Sequence, residues 1–218
     1  VRRAAGNAGA GDWVEIDDVS VKPLPGNHAY QATAAKRPLL KIDGNGKYYL
    51  QGDGIDDFLQ TSSINFTGTD KLALWAGLAS VTSLYSNVIN LGDGLQGTTP
   101  GGFWLYNDDS GKCVVTVQSV STASAYAGKA QTSGAVTSPQ VLTLSLSSTG
   151  TTYDDIVNWL QLPNQPILSD RGIAIPMTGT FGNLPLFLMR VFTKTFAGKL
   201  YSSVCLGRAA TADELAKT

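Results

Sequence analysis

Hydrophobic and polar positions alternate along much of the chain. Over residues 141–147 the order is Val-Leu-Thr-Leu-Ser-Leu-Ser, so Leu142, Leu144 and Leu146 share one face and Thr143, Ser145 and Ser147 the other. That period of two predicts a strand with one buried and one wet face, as in an antiparallel sandwich. Leu72, Leu74, Ala76 and Leu78 repeat the pattern, Val88, Ile89 and Leu91 mark a further strand, and Phe103-Trp-Leu-Tyr106 is a short aromatic one. β-Branched residues fill 113–120, and strands are also predicted over 154–160, 184–192 and 196–206. Turn signals recur at the roughly 8 to 12 residue spacing of sandwiches and barrels. Strands and helices do not alternate, which excludes a parallel α/β sheet, and no internal repeat is present.

Punctuation sharpens this outline. Lys41-Ile-Asp-Gly-Asn-Gly-Lys-Tyr-Tyr-Leu50 reads as a hairpin, its Asp-Gly and Asn-Gly pairs supplying the positive φ of a tight turn. Thr211-Ala-Asp-Glu214 has the capping-box form and predicts a short helix over 212–218. Near the start, Trp13-Val-Glu-Ile-Asp-Asp-Val-Ser-Val21 is a β-type run with no preceding partner, so residues 1–21 read as the final strand of an upstream module. Pro23-Leu-Pro-Gly-Asn27 then breaks regular structure, giving a linker over 22–29 and a main domain over 30–218. The opening Val-Arg-Arg, without methionine or an apolar leader, is expected of a processed chain or a piece of a longer one.

Composition narrows the function classes. The 218 residues are 43% hydrophobic and 15% charged, with 24 glycines, and 16 basic against 17 acidic residues give a net charge of −1. Nucleic-acid binding needs a basic stripe that this balance does not supply. No apolar run reaches the roughly 20 residues of a membrane-spanning helix. The two cysteines, Cys113 and Cys205, are expected as free core thiols. With a single histidine, His28, they fall short of the four ligands of a structural zinc site.

Several catalytic patterns are incomplete. Glu15-Ile-Asp17-Asp18 resembles the opening of the acid-rich strand of sandwich glycanases, but Val19 and Ser20 stand where a third carboxyl would protonate the leaving group. A Ser-His-Asp triad would depend on His28 in the linker, and no nucleophile elbow or phosphate loop occurs. The glycine-flexed acidic loops are better candidates. Asp53, Asp56 and Asp93 are potential Ca²⁺ ligands, although Gly-Asp-Gly and Asp-Asp are also ordinary turn chemistry. Trp104 and Tyr106 offer ring faces to a sugar, with Asn107 and Asp108 to meet its hydroxyls; core packing competes for both rings. A composite rim site requires the loops 52–57, 91–94 and 102–109 to converge. Solvated turns are the alternative.

Tyr48-Tyr-Leu-Gln-Gly-Asp-Gly-Ile-Asp-Asp-Phe-Leu59 resembles the "F-D-G-x-D-D-Y-L" segment of laminin-G-like, concanavalin A-like jelly rolls. Residues 141–146 are similar to the central strand of that family, and Phe196-Ala-Gly-Lys-Leu-Tyr201 to its "G-x-I-x-E-x-x-I-Y" ending. Thr211-Ala-Asp-Glu214 is similar to its closing helix. The resemblance spans 30–218 and implies an all-β, antiparallel two-sheet jelly-roll sandwich with a short C-terminal helix. It leaves function open, because the family holds binders, hydrolases and structural modules. Ile16-Asp-Asp-Val-Ser-Val21 resembles the last strand of a carbohydrate-binding jelly roll, and the joint through Pro38 resembles module junctions in tailed-bacteriophage structural proteins. That resemblance implies a virion surface protein: a tail fibre, tail tip or capsid decoration, expected to be non-enzymatic because the third acid of the glycanase strand is missing. Its expected partners are other virion proteins, further copies of itself and a host-surface polysaccharide. A glycoside hydrolase and an architectural spacer are the rival readings.

Overall fold

The computed structural model describes residues 26–79, 87–92, 99–107, 113–118, 126–131, 136, 138–161, 167–172, 177–191 and 194–216. The proposed upstream strand, residues 1–21, and most of the linker lie outside them. Two antiparallel sheets form the described body. The first contains β1 (Leu39–Ile42), β2 (Tyr48–Asp53), β15 (Ala197–Leu206), β4 (Lys71–Ala79), β9 (Gln140–Ser147) and β10 (Val157–Gln161), in that spatial order. The second runs β11 (Ile167–Gly172), β8 (Tyr126–Gln131), β7 (Cys113–Gln118), β6 (Phe103–Asn107), β5 (Asn87–Leu91), β12 (Asn183–Leu188) and β3 (Leu59–Asn65). The fold is the expected all-β sandwich. Its core lies between the sheets: Leu72, Leu74 and Ala76 pair in register with Leu146, Leu144 and Leu142, and face Ile89, Phe103, Leu105, Val115 and Val117. Each such fully buried large side chain contributes about 1.5–3 kcal/mol of transfer free energy.

The hairpin forms where Asp43-Gly-Asn-Gly predicts it. Asp43 Oδ1 accepts from the Asn45 and Lys47 amides at 2.9 Å each, and Gly46 takes φ +77°. Three expectations need correction. The face of β9 predicted to be wet is buried: Thr143 and Ser147 are 0% exposed and Ser145 6%. These short hydroxyl residues sit in an interior strand beside larger neighbours. Trp75 is the register partner of Thr143, and Lys71 Nζ bonds Ser147 Oγ at 2.7 Å. Residues 154–160 are not all strand, because Thr152 and Asp155 make a reciprocal capping box that starts α1 (Tyr153–Ile156) before β10 begins. The predicted strand 184–192 is interrupted at Met189, whose φ of +69° breaks β12 from β13 (Arg190–Val191), which pairs with β14 (Lys194–Thr195).

α2 (Ala212–Ala216) is capped as read: Glu214 N bonds Thr211 Oγ1 at 3.2 Å and Glu214 Oε2 takes the Thr211 amide at 2.8 Å. Arg208 grips the same carboxylate at 2.8 and 2.6 Å. These bonds, the Arg208 pair first, hold Glu214 down from 4.5 to about 2. A carboxyl depressed on folding stabilises fully above its unfolded value and loses that contribution as pH falls through the folded one. Glu214→Gln should therefore flatten the melting-temperature profile between about pH 4.5 and 2. An unchanged acid slope would contradict the pair's role.

Both cysteines are free, as expected. Cys205 pairs in register with Leu74 and packs against the core, where burial pushes its thiol up to about 12. Cys113 is 3% exposed. A thiol reagent at mildly alkaline pH should find almost no reactive sulfur in the native protein and two after denaturation. Fast native labelling would contradict this burial. Among the described residues, no helix is long and apolar enough to cross a membrane.

Candidate functional site

The acidic turn after β2 is the most local of the predicted sites. Gly54, at φ +77°, reverses the chain, and a carboxylate oxygen from each of Asp53, Asp56 and Asp57 lies within 4.8 Å of the others. The structure thus brings Asp53 and Asp56 together, and adds Asp57. Asp93 and Asp108 lie outside the described residues. The carboxylates in the turn already have partners. Asp53 Oδ1 accepts from the Ile55 and Asp56 amides at 2.8 and 3.3 Å, and Asp57 Oδ2 from the Asp53 amide at 3.2 Å. Asp56 faces Lys36 at 3.6 Å. Burial, followed by the charge of Asp53, raises the Asp57 pKa, so the turn resists gathering negative charge. Ca²⁺ takes about six to eight oxygens, so these three acids would need carbonyls and water to complete its shell, and Lys36 competes for Asp56. Millimolar calcium is expected to leave the melting temperature where EDTA leaves it; a rise of several degrees would show that the ion finds its ligands.

Trp104 and Tyr106 project from β6 away from the sandwich core. Asn90 and Thr116 are the register partners of Trp104, and a bulge between Asn87 and Ile89 brings Asn87 opposite Tyr106 on the same face. That face is covered. Trp104 is 5% exposed, Asn90 1% and Asn87 0%, and Tyr106 is half-buried. Trp104 therefore offers no open ring face for stacking. Its Nε1, Asn90 Oδ1 and both polar atoms of the Asn87 amide have no hydrogen-bond partner among the described residues. Asn107 closes β6 opposite Cys113 in the ladder.

An open concavity lies on the outer face of the six-stranded sheet. Tyr201 and Ser202 on β15, Gly77 on β4, Gln140 and Val141 on β9, with Lys47 and Pro139, line a groove of about 410 Å³. Small-molecule sites span about 300–1,000 Å³. The topology explains its shape. β4 and β9 are neighbours and Gly77 pairs with Val141, so the sheet has no side chain where Gly77 stands. A Cβ there would meet Ser202 Oγ at 3.0 Å and Tyr201 Cβ at 3.2 Å.

The Tyr201 ring is fixed from two sides. It lies 5.4 Å from the Tyr49 ring, tilted by 45°, with Lys199 Nζ 4.8 Å above Tyr49. Its hydroxyl bonds the Asp43 carboxylate. Desolvation and this bond raise the tyrosine pKa, while the Lys47 amide is the first cause of the lowered Asp43 pKa. Across the groove Gln140 Oε1 is buried without a hydrogen-bond partner among the described residues. The site thus combines a partly exposed ring, a hydroxyl and an ammonium, with the buried Gln140 amide oxygen beneath them. The sequence pattern gave no sign of it, because residues 47, 77, 140 and 201 meet only through strand order.

No family model matches the sequence, and no curated protein does. Solved structures match in fold. The chain is similar to the binding domain of botulinum neurotoxin DC in complex with SialylT, at TM-score 0.55 and 9% identity over 82% of this chain and 43% of that one. A shared sandwich fold follows. The structure of HCR/D-Sa-GBL1/C aligns at TM-score 0.55 and 8% identity, over 82% of this chain and 44% of the other. This chain spans less than half the length of either. At such identities the likeness speaks to architecture and leaves function to the site.

Proposed function

We propose that this chain is a non-enzymatic carbohydrate-binding module of a bacteriophage virion surface, contacting host polysaccharide through the outer face of its six-stranded sheet. The observation that carries the reading is the groove at Tyr201. Sugars present C–H faces that stack on rings and hydroxyls that need both donors and acceptors. Tyr201 supplies the ring, the Ser202 hydroxyl both a donor and an acceptor, and Lys47 a charged donor. Tyr201 and Ser202 sit on paired strands, which hold such groups more rigidly than loops do, and Lys47 adjoins them from the tight β1–β2 turn. A sandwich of this fold serves as a binding domain in botulinum neurotoxin DC, solved in complex with SialylT, so the architecture accommodates such a role.

The non-enzymatic part of the reading rests on the groove's chemistry. Glycoside hydrolysis uses two carboxyls flanking the bond, about 5–10 Å apart. The carboxylate beside Tyr201 is Asp43, already engaged with two amides and the tyrosine hydroxyl. Virion placement, as tail fibre, tail tip or capsid decoration beside further copies of the chain, rests on the module-joint resemblance of residues 16–38. Binding to a polysaccharide array, with no release of reducing ends and with antibody labelling of the intact particle, is the expected set of results. Reducing-end release would restore the hydrolase reading, and a silent array would leave an architectural spacer.

A further inference from the structure

We infer that the groove at Tyr201 selects an anionic sugar, one carrying a carboxylate or sulfate, and that Lys47 is the residue that reads the charge. This rests on the glycan-binding reading above and adds the class of sugar. The chain as a whole is almost neutral, at net −1, yet the corner where the groove opens is basic. Lys47 lines the groove, Lys199 Nζ stands 4.8 Å over the Tyr49 ring that abuts Tyr201, and Lys41 is the cross-strand partner of Tyr49.

Among the described residues these ammonium groups make no ion pair within 4 Å, although the Lys47 charge is felt by Asp43. The ion pairs among the described residues are Lys36–Asp56, Lys71–Asp70 and Arg208–Glu214, and none involves Lys41, Lys47 or Lys199. Asp43 is the carboxylate at this corner. Its oxygens already accept from the Asn45 amide, the Lys47 amide and the Tyr201 hydroxyl. Asp43 therefore shapes the hairpin and steadies the ring; it feels the Lys47 charge without an ion-pair contact, so that ammonium can still turn to a ligand. An ammonium pairs with an anion as a compact point charge, and gains most where rings have displaced water beside it. The exposed Ser202 hydroxyl on the groove wall suits a hydroxyl of the same sugar unit.

The test uses a panel of neutral, uronic-acid-bearing and sulfated polysaccharides, with affinities measured at low and physiological salt. The strongest binders should be acidic, and carboxyl reduction or desulfation of those binders should cost about tenfold; whichever treatment acts identifies the anion. Lys47→Gln should cause a similar loss and flatten the salt dependence, while Lys47→Arg retains binding. Lys36→Gln, outside the groove, should change nothing, and an equal loss there would mean diffuse charge attraction and overturn the inference. Neutral glycans bound as tightly as acidic ones would also overturn it. So would Lys47→Gln without effect while Tyr201→Ala abolishes binding, a result that keeps the glycan reading intact. Absence of binding to every member would remove both.

Discussion

Replacing Tyr201 by alanine is expected to weaken polysaccharide binding roughly tenfold to a hundredfold while the sandwich stays folded. Tyr201 is the aromatic residue lining the groove, and burying such a side chain against a ligand contributes about 1.5–3 kcal/mol. Each 1.4 kcal/mol is about a factor of ten in affinity. The residue is partly exposed on the outer face, so its loss opens no core cavity and the melting temperature should fall only slightly. Tyr201→Phe separates ring from hydroxyl. It keeps the stacking surface and releases Asp43 from one of its bonds, so binding should drop much less than with alanine. Titration calorimetry on the two variants checks the order. Equal losses would assign binding to the hydroxyl, and no loss would remove Tyr201 from the site.

The largest expected effect on stability comes from Gly52→Ala. Gly52 lies at the inward-facing end of β2, where a Cβ would fall inside van der Waals contact of the Phe196 carbonyl oxygen and 3.3 Å from its ring Cδ1. Phe196 is fully buried, and its amide bonds the Met189 carbonyl at 3.0 Å, so neither its backbone nor its ring can retreat freely. Overpacking of this kind costs about 1–3 kcal/mol, and more where backbone must move. For a domain of this size a loss of about 3 kcal/mol lowers the melting temperature by roughly 6–12 °C. Gly44→Ala is the control, since nothing lies within 4 Å of a Cβ built there. Indistinguishable melting curves for the two variants would mean that β2 and Phe196 do not approach as described.

Much of the fold was legible because its signals are local. Alternation at Leu72–Leu78 and Leu142–Leu146 reports the core directly, and the turn at Asp43–Gly46 and the cap at Thr211–Glu214 are written in four consecutive residues each. The cap at Thr152 is just as local, but the apolar run behind it reads as strand and hides it. β3, β8 and β11 carry weak signals because Leu59–Asn65, Tyr126–Gln131 and Ile167–Gly172 alternate poorly; β3 is held by β12 and β11 by β8, each distant in sequence, while β8 also pairs with the preceding β7. The same non-locality governs the site. The turn at Asp53–Asp57 is contiguous and was found, whereas the groove joins a hairpin, two central strands and a tyrosine near the chain's end. Trp104 shows the limit of composition as a guide. A ring beside polar residues looks like a sugar platform until the second face of its sheet proves to be buried.

Amide-resolved NMR titration with the tightest-binding polysaccharide fragment tests the central claim most directly. The account predicts that shifts cluster on Lys47, Gly77, Gln140, Val141, Tyr201 and Ser202, tracing the groove on the six-stranded sheet. Shifts confined to Asn90, Trp104 and Thr116 on the opposite sheet, or to the Asp53–Asp57 turn, would contradict it.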